Sequence, residues 1–190
     1  MNGHDTRFRK VLIGVVAGVV ASALMAASVG AADDRAELTK DAQAALNSLY
    51  AKVDGAKVLG AKATAILVFP KITKAGLGIG GQSGEGVLFK SGKAVAFYRT
   101  SGASVGLQIG AQTYGYSMFF MNQKALSALD AAKGFEVGVG PSVVVMDEGK
   151  AKSSTTTTMK DDIYAFIFGQ QGLMAGLGIQ GNKITKLDDK

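Results

Sequence analysis

From Thr64 onward, short runs rich in Val, Ile, Phe, Tyr and Thr recur between glycines, and this punctuation constrains the fold more than any other feature. The runs cover 65–69, 86–90, 94–100, 104–111 and 114–121, then 135–139, 142–147, 163–168, 173–180 and 184–187. β-branched and aromatic runs at a spacing of roughly 8 to 12 residues, joined by Gly turns, predict antiparallel pairing. The expected class is α+β: mainly an antiparallel β sandwich or partly closed barrel, with an N-terminal amphipathic helix and one internal helix at 122–132 that turns Leu126 and Leu129 inward. The tract 153–158, S-S-T-T-T-T, reads as a strand on propensity and as a solvated loop on polarity.

Within this pattern, Gly76, Gly78 and Gly81 spell G-x-G-x-x-G, the spacing of a dinucleotide-binding turn. That turn needs a helix directly after it to face the pyrophosphate, and an acid about 20 residues on to hold the ribose. Here G-E-G-V-L-F-K follows, then Ser91-Gly92 and K-A-V-A-F-Y-R-T, which reads as a hairpin. No Asp or Glu occurs between Gly86 and Leu129. The letters return at 175–181, A-G-L-G-I-Q-G, again running into a strand-like segment. Both copies are read as glycine-rich strands, with glycine placed where a sheet bends or another backbone comes close, and no cofactor is expected.

The N-terminus differs in kind. Arg7, Arg9 and Lys10 precede an uncharged stretch from Val11 to Ala32, with small residues at Val29-Gly30-Ala31. This is the pattern of a secretory signal over residues 1–31, followed by one domain over 32–190; an uncleaved anchor is the other reading of the apolar run. With the leader goes His4, the only His, and the chain has no Cys and no Trp. Ser-His and Cys-His nucleophiles, and zinc sites built on nitrogen or sulfur, are thereby excluded from the remainder. The adjacent acids Asp147-Glu148 and Asp161-Asp162 can pair as acid and base or hold a hard cation, but they also read as solvated turns. No catalytic residue, metal site or enzymatic activity is assigned.

Removing Arg7, Arg9, Lys10 and Asp5 from totals of 21 basic and 15 acidic residues leaves 18 and 14, a net charge of about +4. Basic residues lead between 35 and 74, where Arg35, Lys40, Lys52, Lys57, Lys62, Lys71 and Lys74 face Glu37, Asp41 and Asp54. With few aromatics among them to stack bases, an anionic surface suits these charges better than nucleic acid. Over 34–53 the apolar residues Leu38, Ala42, Ala45, Leu46, Leu49, Tyr50 and Val53 trace one helical face, and Asp34 with Glu37 makes a capping-box start. That face either packs on the domain or lies on a membrane, with Leu38, Leu46, Leu49 and Tyr50 as its contact residues; both hold if the helix can swing away.

The succession I-L-V-F-P-K-I-T-K-A-G, G-G-x-S-G-E-G-V-L, G-A-S-V-G-L-Q-I-G-A-Q, G-V-G-P-S-V-V-V and D-I-Y-A-F-I-F-G-Q-Q-G-L-M-A-G-L-G-I-Q-G resembles the SYLF domain family from about Ala36 to Leu187. The resemblance implies a non-enzymatic lipid-binding domain. Eukaryotic members bind phosphoinositides and work at membranes with the actin cytoskeleton, using a basic amphipathic segment before the first strand. In this chain that segment is the helix with Arg35, Lys40 and Lys52, followed by Lys57, Lys62, Lys71 and Lys74. The leader implies an anionic phospholipid membrane facing the periplasm as the partner. A structural or adhesive envelope protein that binds another protein or a polymer is the alternative.

Overall fold

A computed structural model of the chain describes residues 33–130, 134–137, 139–146, 160–172 and 182–188. The chain divides at Leu38: residues 33–37 fall to one unit and Leu38–Asp189 to the other. Helix α1 spans 33–52 and breaks at Val53, whose φ of −133° and ψ of 95° are extended. Helix α2, Asp54–Lys62, follows at once. It has no side-chain N-cap, but Asp54 in its first turn and Lys62 in its last both oppose the helix dipole favourably.

Strands β1 (Ala65–Lys90) and β2 (Lys93–Phe120) form an antiparallel ribbon from Ala65↔Phe120 to Lys90↔Lys93. The turn between them is Ser91-Gly92, with φ of 49° and 76°, the left-handed geometry that two-residue hairpin turns require. The pairing shifts between Phe69 and Ile72, where Pro70 has no N–H to give, again between Leu77 and Ile79, and again between Leu88 and Phe89. These irregularities let β1 bend back on itself. A Cβ at Gly86 would lie 2.7 Å from the Val68 carbonyl oxygen, so the two limbs of β1 approach as closely as glycine permits.

The other edge of β2 pairs with two strands in succession. Residues 112–120 take β5 (Ile163–Gly172), and 98–101 take β6 (Lys183–Lys186). Strand β4 (Val143–Met146) lies parallel to β5, and β3 (Phe135–Glu136) antiparallel to β6. Of the expected sandwich or partly closed barrel, the described residues form the second: one curled mixed sheet, a half-barrel, with the order β3-β6-β2-β5-β4 and β1 on β2. The α+β class holds.

Each face of this sheet carries a buried cluster, and strand alternation decides which residue goes where. Leu67, Phe69, Tyr114, Tyr116, Met118, Ile163, Ala165 and Ile167 face one core, with Leu126 and Leu129 of helix α3 (Gln123–Leu129). Val68, Phe119, Tyr164, Phe166 and Phe168 face the other. There Phe119 meets Phe166 edge-on, with ring centres 5.2 Å apart. Over that second face α1 and α2 lay Ala42, Leu46, Leu49, Val53, Ala56 and Leu59, at helical spacing.

Candidate functional site

The helical layer carries most of the expected basic residues. Spacing that turns Leu46 and Leu49 into the core turns Lys40 and Lys52 of α1 outward, and Lys57 and Lys62 of α2 are exposed as well. Lys71, at the β1 irregularity after Pro70, is also exposed. None of these five lysines has an ion-pair partner among the described residues. Arg35 is partly exposed and belongs to the 33–37 unit.

Lys74 departs from this set. It is only 5% exposed, opposite Gln112 across the β1–β2 pair, so it cannot serve an outer surface as the sequence reading has it. A chain of polar side chains crosses between β1, β2 and the start of β6. The Tyr114 hydroxyl donates to Gln82 Oε1 at 2.8 Å, and Gln82 Nε2 donates in turn to Asn182 Oδ1. Burial pushes the Tyr114 phenol up to about 12. Tyr116, fully buried beside it, is raised further by burial and by Tyr114.

The apolar residues expected to face a membrane divide in two. Leu46 is 4% and Leu49 is 1% exposed, both packed on the sheet, whereas Leu38 and Tyr50 lie at the margin of that packing. Between α1, the end of α2 and the β1–β2 turn is a cleft of about 340 Å³, lined by Gln43, Leu46, Tyr50, Ile66, Phe89 and Ser91 among others. Its wall is shaped by Tyr50, whose ring occupies the space a side chain at Gly60 would need and tilts against Phe119 at 6.3 Å. Burial raises the Tyr50 phenol above its ordinary value.

Sequence reasoning missed Lys90 and Lys93, which stand opposite one another across the Ser91-Gly92 turn, both exposed and unpaired among the described residues. Like charges in that position repel, and the K-S-G-K spelling carried the signal. Of the acidic pairs, Asp147-Glu148 lies outside the described residues. Asp162 serves the fold: its carboxylate accepts from Asn122 Nδ2 at 2.8 Å and from the Ser142 N–H at 3.3 Å, and it sits below the usual carboxylate range chiefly through the Asn122 bond. The glycine motif at 76–81 lies inside β1 with no helix behind it, and its second copy lies outside the described residues.

No curated protein matches the chain significantly. A family model described as "Ysc84: Las17-binding protein actin regulator" matches residues 101–190, from the middle of β2 to the C-terminus. This is the SYLF family that the sequence motifs resemble, and the chain is similar to it over this C-terminal stretch.

Proposed function

We propose that this is a non-enzymatic lipid-binding module, exported to the cell envelope, that docks on an anionic phospholipid surface through the lysines of α1 and α2. One observation carries the reading: Lys40, Lys52, Lys57 and Lys62 stand in solvent with no acidic partner among the described residues. Between Gly55 and Leu129 the chain has one acidic residue, Glu85, and it is engaged by Arg99 at 2.6 Å. Each lysine near an anionic bilayer contributes about 1 kcal/mol, so four together supply about 4 kcal/mol, weakened by salt.

The apolar face of α1 does not add to this in the packed conformation, because Leu46 and Leu49 are already used against the sheet. Releasing them to reach a membrane would cost about 1.5–3 kcal/mol each, regained only on insertion. The reading therefore has α1 staying closed. Co-sedimentation with vesicles of anionic and of zwitterionic phospholipid tests it: binding confined to the anionic vesicles is expected, and equal binding to both would sink the electrostatic reading. The matching family's description names a protein partner and actin regulation, which supports a protein-binding surface as the second reading. Retention by an immobilised protein partner with no pelleting on any vesicle would favour it.

A further inference from the structure

The glycine motif in β1 has a property that nucleotide binding does not explain. Leu77 is 77% and Ile79 is 72% exposed, the two most exposed large apolar side chains among the described residues. They sit where the β1–β2 pairing jumps, with Leu77 opposite Ile109 and Ile79 opposite Val105, so two residues of β1 span four of β2 and the ribbon turns a corner. The corner is tight. A Cβ at Gly76 would lie 2.5 Å from Gly80 Cα and 2.9 Å from the Ile79 carbonyl oxygen, so only glycine allows the chain to return on itself there. The turn leaves Leu77 and Ile79 on its outside.

We infer that this corner is a membrane wedge, in which Leu77 and Ile79 enter the boundary between headgroups and acyl chains of an anionic bilayer. The inference rests on the membrane reading above and adds the apolar contact that α1 lacks. Neither 75–84 of β1 nor 100–111 of β2 carries a charge, so the ribbon brings no ion to be desolvated as it approaches lipid. The first charge before the corner with an exposed side chain is Lys71, unpaired among the described residues. An apolar tip backed by a free cation matches a hydrocarbon layer under anionic headgroups.

The chain has no Trp, so one introduced at the corner reports on that place alone. We expect Leu77→Trp, in protein purified with its native N-terminus, to shift its emission to the blue on vesicles of mixed phosphatidylcholine and phosphatidylglycerol. Brominated acyl chains should quench it. Val95→Trp, 52% exposed near the far end of the ribbon, should do neither. The fluorophore reports the corner's own surroundings however the chain reaches the vesicle. Leu77→Asn with Ile79→Asn should partition about tenfold or more weakly while melting like the parent. If the protein pellets with vesicles and Leu77→Trp keeps its aqueous emission, the wedge fails and the membrane reading stands. If nothing pellets, both fall. A blue shift without vesicles, accompanied by a dimer in sedimentation, would assign the corner to a second copy of the chain and overturn the wedge.

Discussion

The Tyr114 hydroxyl and Gln82 Oε1 are 2.8 Å apart, joining β2 to the far limb of β1 across the bend. The two residues are 32 positions apart and are not register partners, so the bond holds the bend itself rather than the ladder. Tyr114→Phe keeps the ring and deletes the donor, leaving the partly buried Gln82 oxygen without it. Loss of about 1–2 kcal/mol in urea unfolding is expected, with an unchanged m-value. A variant as stable as the parent would mean that water replaces the phenol without cost.

All five tyrosines of the chain, Tyr50, Tyr98, Tyr114, Tyr116 and Tyr164, are held above their ordinary pKa, in each case first by burial. Tyr98 is raised further by donating to Asp130 Oδ1 at 2.7 Å. A raised folded-state pKa means stability that is whole below about pH 10, where the unfolded chain's phenols begin to ionise. It is lost as pH climbs toward the folded value, which for Tyr114 is about 12. Phenolate absorbance should therefore lag behind that of free tyrosine and appear together with loss of far-ultraviolet dichroism. A smooth titration near pH 10 with the dichroism intact would contradict the burial of these rings.

Gly86 sits where the limbs of β1 meet, and a Cβ there would press on both the Val68 carbonyl and the Phe69 ring at 2.7 and 2.5 Å. Gly86→Ala should cost about 1–3 kcal/mol, since backbone cannot step aside as a flexible side chain can. Gly92→Ala, with open space around it, should cost only about 1 kcal/mol for its positive φ. Thermal melts of the pair decide the order, and a reversed order would remove the crossing from β1.

The same glycines explain which parts of the fold were legible in the sequence. Residues 65–69 and 86–90 read as separate strands, as did 94–100, 104–111 and 114–121, because each glycine cluster looks like a turn. In the structure they are the limbs of β1 and β2, where glycine serves bends and close approaches inside a continuous ladder. Helix α3 was legible because Asn122 caps it, its Oδ1 accepting from the Ala125 N–H at 2.8 Å, and Leu126 and Leu129 point inward as their spacing predicts. Helix α2 was missed: Gly55 and Gly60 lower its propensity, and only the three-residue spacing of Val53, Ala56 and Leu59 betrayed it. The outward lysines of α1 followed from helical periodicity, but the burial of Lys74 did not, because its side is set by pairing with Gln112.

The final prediction separates a closed from an open α1. Lys52, Lys57 and Lys62 flank the break between α1 and α2, are exposed, and lack acidic partners among the described residues, so reversing them should leave the fold intact. Losing about 1 kcal/mol of attraction at each costs about 3 kcal/mol before any repulsion is counted, more than a hundredfold in affinity for anionic vesicles. Parent binding should itself fade between about 0.1 and 1 M salt, as the screening length contracts from about 10 to 3 Å. Amide exchange at 42–53, measured with and without vesicles, then reads the state of the helix. If docking is through lysines on a closed α1, protection around Leu46 and Leu49 persists on the membrane, because their packing on Phe119 and Phe166 is undisturbed. Faster exchange there on vesicles, together with slowed exchange in the uncovered sheet residues only after vesicle removal, would instead mean that α1 swings out and spends its apolar face on lipid.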